Sequence, residues 1–267
     1  MSPMIGHRTW VLIRRIWITT GIALTLVFVS WSLFAYRANA EAHLATIRDS
    51  LVVNVRHEGV WKFSSPRAVQ VPKVGLLFFP RSLVDPTAYA PLARAVAAAG
   101  FPVTIVELPR RGAFGGANDP ALLGRALEQM RKPGAPPRWV VAGHSRGAVA
   151  ATDFAATYPA ALAGLVLIGT THPRDVDLAA LTVRVTKIIG TNDGIASERK
   201  SEANRRLLPQ ATRWIRIEGG NHSQFGWYGF QPGDHRARIS AKEQHARMYT
   251  AILDMLRAVA DSVPPAI

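Results

Sequence analysis

The 267-residue chain contains no cysteine. That absence excludes disulfide frameworks, thiolate metal sites, a cysteine nucleophile and a lipoprotein anchor built on cysteine. Acidic residues are also scarce: 18 Asp and Glu stand against 32 Lys and Arg, for a formal charge of +14. No nucleic-acid motif accompanies this charge, so no DNA or RNA partner is expected. A solvated basic surface accounts for it, and such a surface would also be drawn to anionic lipid. Charged residues make up only 19% of the chain and apolar residues 48%, a balance that supplies a sizeable core and excludes a wholly disordered protein. The chain shows no internal repeat, and nothing in it sets an oligomeric state.

Charge is missing altogether from Ile16 to Tyr36, which reads IWITTGIALTLVFVSWSLFAY. As a helix this run spans about 30 Å, the thickness of the hydrocarbon layer. His7, Arg8, Arg14 and Arg15 precede it and Arg37 follows. The heavier basic flank favours the cytoplasm, which sends the rest of the chain across the membrane. Trp10, Trp17, Trp31 and Tyr36 lie near the ends, where amphipathic rings favour the interface. The rival reading is a cleaved signal peptide, with Ala38-Asn39-Ala40 as the small-x-small site before Glu41. Signal h-regions usually run about 7–15 residues, shorter than this one. Either reading places the domain outside the cytoplasm, anchored in the cell membrane by one span or secreted if cut. The expected organisation is a basic flank over 1–15, an anchor over 16–36, a linker over 37–49 and one domain over 50–262.

Past the linker, Leu51–Val55 and Gly59–Phe63 alternate like a pair of strands. Val74–Phe79 is a continuous apolar run, as expected of a buried parallel strand. Further strands are expected at Val103–Glu107, Trp139–Ala142, Leu165–Ile168, Val185–Ile189 and Arg213–Ile217. Helices are expected at Tyr89–Ala99, Pro120–Arg131, Ala148–Thr157, Ser197–Leu207 and Ala241–Ala260. This alternation argues for an α/β fold: a mostly parallel sheet with helices on both faces. Only a short connection separates Ile168 from Val185, which leaves no room for a large cap.

Gly143-His144-Ser145-Arg146-Gly147 fits the pattern G-x-S-x-G, and it lies between an apolar strand and a helix. That context presents a serine on a strained turn, where flanking glycines let neighbouring elements close around it. A serine hydroxyl needs a base to take its proton and an acid to orient the base. Such elbows present them in the chain order serine, acid, histidine. Asp193, in TNDG, and His222, in GGNHS, each follow a strand and complete that order. Other readings stand beside these. Asp193 can be a simple turn former, His222 a loop histidine, and Asp175 or Asp177 the acid instead. His144 reads as a packing residue inside the elbow and His172 as a loop histidine or a substrate contact. The chemistry of the set is acyl transfer to water through an acyl-serine, with no metal and no cofactor implied.

The segments FFPRSLVDPTAYAPLARAVAAAGFPV, VVAGHSRGAVAA, KIIGTNDGIAS and EGGNHSQFGWYGFQPGDHRARIS resemble the α/β-hydrolase fold-5 group, relatives of dienelactone hydrolases. The resemblance implies an α/β-hydrolase fold, with Ser145 as nucleophile, Asp193 as acid and His222 as base. The chain departs from the group at one place: the loop after the first buried strand usually reads Pro-Gly-small, and here it is Pro80-Arg81-Ser82. An oxyanion hole needs two backbone N–H groups. Arg146, next to the nucleophile, is expected to supply one, and Ser82 is favoured over Arg81 and Leu83 for the other. Trp227 and Tyr228, with Phe230, are expected at the rim of a shallow, uncapped site for small esters, or else in the core beneath the histidine loop. A catalytically silent hydrolase fold that binds a ligand or protein at the membrane surface is the alternative from another class.

Overall fold

The computed structural model describes residues 6–47, 52–66, 73–113, 116 and 119–262. The expected first residue of the first strand, Leu51, and the last residues of the expected linker, 48–49, lie outside the described residues, as do residues 1–5 of the basic flank.

The chain opens with helix α1, His7–Ala35. Its segment Arg8–Ser32 has a mean hydropathy of 1.7 and is exposed along nearly all of its length. It is long and apolar enough to cross a membrane. A short helix α2, Ala40–Ile47, follows and buries Ala42 and Ala45.

Eight strands form one sheet: β1 Asn54–His57, β2 Trp61–Ser64, β3 Val74–Phe79, β4 Val103–Ile105, β5 Arg138–His144, β6 Gly164–Ile168, β7 Arg184–Gly190 and β8 Arg213–Ile217. Their spatial order is β1-β2-β4-β3-β5-β6-β7-β8. Strand β2 pairs antiparallel with both β1 and β4, and every other pairing is parallel. The β1–β2 hairpin lies slightly later in the chain than its hydrophobic alternation implied. Its turn sets the register: His57 pairs with Trp61, and Gly59 takes a φ of +71° between them.

Alternate residues of the inner strands serve two cores, one on each face of the sheet. Leu76, Phe78, Val140 and Ala142 meet helices α3, Ala90–Ala98, and α7, Ala241–Asp261. Leu77, Phe79 and Val141 meet α4, Pro120–Arg131, and α5, Arg146–Thr157. Each large apolar side chain fully buried this way contributes about 1.5–3 kcal/mol. The helix expected over Ser197–Leu207 is shorter: α6 covers Glu198–Glu202, and a separate 3-10 turn covers Arg205–Leu207. The break falls where the Asn204 side chain donates a hydrogen bond to the Thr171 carbonyl at 2.8 Å. Between β6 and β7 the chain forms no helix or strand, so no cap covers the carboxyl ends of the strands there.

Candidate functional site

Strand β5 runs directly into Ser145, whose φ of +54° and ψ of −114° make the turn into α5. A non-glycine residue held in such backbone costs about 1–3 kcal/mol, and the surrounding packing must impose it. The Ser145 N–H donates to the Ile168 carbonyl at 2.9 Å. The two flanking glycines make the turn possible. A Cβ on Gly143 would lie 2.2 Å from the Gly147 oxygen, and one on Gly147 would lie 2.1 Å from the Phe79 oxygen.

Asp193 follows β7 and is 3% exposed; His222 follows β8 and is fully buried. His222 Nδ1 lies 2.8 Å from Asp193 Oδ2. The other carboxylate oxygen, Oδ1, accepts the backbone N–H groups of Ile195 at 2.8 Å and Ala196 at 2.6 Å. Both oxygens are therefore engaged, and the carboxylate is held by its own turn. His222 Nε2 has no partner among the described residues. Asp175 and Asp177 are exposed, and Asp177 accepts the Ala179 N–H instead. His222 thus pairs with Asp193 and with neither rival.

Ser145 and His222 line one recess of about 220 Å3 together with Ser82, Arg146, Thr171 and Arg174. His172 is also in its wall. Burial, ahead of its charged neighbours, pushes that imidazole down to about 4, so it is neutral near pH 7. Behind it, the buried Lys187 ammonium donates to the His172 carbonyl, and burial lowers this lysine to about 7.

In the loop 80–83 the N–H groups of Arg81 and Leu83 are engaged within the protein. The Arg81 N–H donates to the Tyr89 hydroxyl at 3.3 Å, and the Leu83 N–H donates to the Arg111 carbonyl at 2.6 Å. The Ser82 N–H has no protein partner among the described residues, and Ser82 lines the recess. Arg146 is the first residue of α5, so its N–H has no partner within the helix. Tyr89 links this loop to the elbow, because its hydroxyl also lies 2.7 Å from His144 Nδ1. His144 is fully buried and its ring lies 4.7 Å from that of His222. Burial first, then His222 and Arg81, hold His144 well below the usual imidazole range.

The rim expected at Trp227 and Tyr228 requires correction: neither residue lines the recess. After His222 the chain makes a 3-10 turn, Ser223–Phe225, and then folds back against the domain. The Trp227 N–H donates to Ala88, and its ring stacks on His245 at 3.5 Å. Tyr228 turns toward Tyr36, with ring centroids 6.0 Å apart. Phe230 is half exposed.

Sequence reasoning passed over Asp234, which joins the acid and histidine loops. Its Oδ1 accepts N–H groups of Gly194 at 3.0 Å, His222 at 3.3 Å and His235 at 2.9 Å. Its Oδ2 accepts the Ser223 N–H at 2.8 Å and hydroxyl at 2.7 Å. The only signal in the sequence was its turn context, Pro232-Gly233-Asp234. Asp234→Ala is expected to cost about 2–4 kcal/mol of stability, since several buried donors lose their acceptor. It should also lower kcat by about tenfold or more as both loops loosen. Urea unfolding and steady-state kinetics check this; unchanged values for both would refute the coupling.

Among the described residues no group of three or more His, Asp or Glu side chains could hold a metal ion.

Three solved structures share the fold. A dienelactone hydrolase-like promiscuous phosphotriesterase, P91, from metagenomic libraries is 16% identical with a TM-score of 0.58, covering 78% of this chain and 99% of its own. A CIB-like hydrolase from Thermoplasma acidophilum is 13% identical with a TM-score of 0.56, covering 77% and 99%. Est1E from Butyrivibrio proteoclasticus is 10% identical with a TM-score of 0.55, covering 77% and 99%. A sequence comparison with curated proteins finds no match. Residues 75–246, which include the elbow and the strands that carry Asp193 and His222, match the alpha/beta hydrolase family in sequence, and the chain belongs to that family.

Proposed function

We propose that this hydrolase is a membrane-anchored serine esterase that cleaves small ester substrates through an acyl-serine intermediate. The observation that carries the reading is the state of His222. One ring nitrogen is 2.8 Å from a buried carboxylate, and the other is unpartnered in a recess shared with a serine on a strained turn. With the proton of Nδ1 directed at Asp193, Nε2 is free to act as a base.

Ser145 Oγ attacks the ester carbonyl carbon while its proton passes to His222 Nε2. The carbonyl oxygen gains the negative charge and is met by the N–H groups of Ser82 and Arg146. Collapse of the intermediate breaks the bond to the alkoxy oxygen, which leaves as an alcohol with the proton from His222. Water then repeats the sequence on the acyl-serine: His222 takes its proton, the acid departs and Ser145 recovers its hydrogen. Asp193 stabilises the imidazolium formed in each half. Pockets for drug-sized ligands measure roughly 300–1,000 Å3. The recess of about 220 Å3 suits a short acyl group.

A fluorophosphonate probe tests the mechanism, because it labels only an activated serine. Stoichiometric labelling at Ser145, with saturable turnover of soluble short-chain esters, is expected. A folded protein that neither labels nor turns over such esters would instead be a silent hydrolase fold. Sharp activation on long-chain emulsions, with negligible turnover of soluble esters, would contradict an uncapped site.

The anchor reading places α1 across the cell membrane with the domain on the non-cytoplasmic side. Arg8, Arg14 and Arg15 outweigh Arg37 across the span. Protease added to intact spheroplasts should digest the domain, and full protection would reverse the orientation.

A further inference from the structure

We propose that Tyr36, at the end of the anchor helix, positions the 81–85 loop of the catalytic site, so that the chain left uncut at residues 38–40 is the competent enzyme. The proposal rests on the serine-esterase reading, in which Ser82 supplies an oxyanion donor.

The body of α1 is exposed along its length, and Phe34 remains so, yet one side of its end meets the domain. Tyr36 is only 3% exposed and Ser32 4%. Three backbone hydrogen bonds fasten this junction. The Asp85 N–H donates to the Tyr36 carbonyl at 3.0 Å, and the Gly229 N–H donates to the Ala35 carbonyl at 3.2 Å. The Asn39 N–H donates to the Trp227 carbonyl at 2.8 Å. The acceptors and donors on the domain belong to two loops, one after β3 and one after β8. The first carries Ser82 and the second carries His222.

Arg81 makes the connection to the chemistry. Its guanidinium lies 4.8 Å from the Tyr36 ring centroid and 5.9 Å from that of Tyr228. The two rings meet edge to face, so the cation rests against an aromatic pair that exists only while Tyr36 is docked. Arg81 Nη1 also donates to the Ser82 carbonyl at 3.1 Å. Its backbone N–H holds Tyr89, and Tyr89 holds the elbow through His144. The residue that departs from the usual glycine of this loop is thus the one that binds the end of the anchor.

Gly229 adds an independent observation. A Cβ there would lie 2.5 Å from the Ala35 oxygen, so the close approach of α1 requires a residue without one. The small-x-small site at Ala38-Asn39-Ala40 lies just past this junction. A cut there would separate Tyr36 from the domain, uncover the Asp85 and Gly229 N–H groups and leave Arg81 with Tyr228 alone.

The test uses the full-length protein in detergent, with a soluble short-chain ester, and reads kcat and KM well below each variant's melting temperature. Tyr36→Phe keeps the ring and should match the wild type. Tyr36→Ala, and separately Gly229→Ala, should lower kcat by about tenfold to 100-fold with KM little changed, as expected when a transition-state donor is misplaced. Intact mass of the protein purified from membranes should show the chain retained through Tyr36. A role confined to stability would lower the melting temperature and leave kcat alone. Wild-type kcat in Gly229→Ala overturns the proposal even if Tyr36→Ala fails to fold. A mature chain that begins at Glu41 with full turnover overturns it as well. Fluorophosphonate labelling of the wild type separates the layers. A labelled wild type with equally active variants removes only the role of Tyr36, whereas an unlabelled one removes the esterase reading beneath it.

Discussion

Ser145→Ala is expected to lower ester turnover by about 10^4-fold or more while leaving the fold intact. The substitution deletes the one atom that forms the bond to the acyl carbon. It leaves the backbone as it was, because alanine and serine both carry a Cβ and meet the same strain at a φ of +54°. The Ser145 N–H bond to Ile168 and the His222–Asp193 pair do not involve the hydroxyl. The melting temperature should therefore stay close to that of the wild type. Residual turnover above water would come from the Ser82 and Arg146 donors and from binding alone. Turnover within tenfold of the wild type, in a folded and uncontaminated mutant, would sink the nucleophile assignment.

Asp193→Asn is expected to cost about 10^4-fold in kcat at neutral pH, for a reason visible in the acid's own turn. Asp193 Oδ1 faces the N–H groups of Ile195 and Ala196, so only an oxygen can occupy that place. In the asparagine variant the side-chain oxygen must stay there, which points its NH2 group at His222 Nδ1. Two donors cannot face each other. His222 must then accept at Nδ1 and carry its proton on Nε2, where the serine needs a base. Asp175→Asn and Asp177→Asn, on exposed residues unconnected to His222, should stay within about twofold of the wild type. Measuring kcat for all three variants under one condition decides the matter: a larger loss in Asp175→Asn or Asp177→Asn than in Asp193→Asn would reassign the acid.

Much of this arrangement is legible in the chain because it depends on short stretches with strong local physics. The apolar run VGLLFF appears as β3 with the bounds read from it, since six consecutive buried residues have no other economical use in a sheet covered on both faces. The strand–elbow–helix passage is readable because Gly143-His144-Ser145-Arg146-Gly147 stands between the apolar strand WVVA and an alanine-rich helix. Helix α4 keeps the bounds Pro120–Arg131 read from the chain, and the Asp119 side chain caps its first turn. The direction taken by a loop side chain has no such local signature. Trp227 and Tyr228 are large and apolar in either setting, and their sequence neighbours do not say whether they face solvent, the recess or the core. Their placement follows from backbone bonds of Trp227 to Ala88 and of the adjoining Gly229 to Ala35, far away in the chain.

The sequence by itself determined the α/β class, the apolar N-terminal helix, the short β6–β7 connection without a cap and the candidate nucleophile, acid and base. Each of these rests on periodicity, composition or residue order, which are properties of neighbouring residues. Only the tertiary structure decided how the loops at the carboxyl ends of β3, β7 and β8 are held to one another. Ser82, which lines the recess, is the one of the three whose N–H has no protein partner among the described residues, because Arg81 and Leu83 are engaged by Tyr89 and Arg111. Asp234 serves both the acid and histidine loops because the chain returns to them 12 residues after His222. Arg81 makes sense in place of glycine only when Tyr36, 45 residues earlier, is packed against it. Hydrogen bonds and ring contacts between residues so far apart depend on the closed fold, and a linear pattern carries no trace of them.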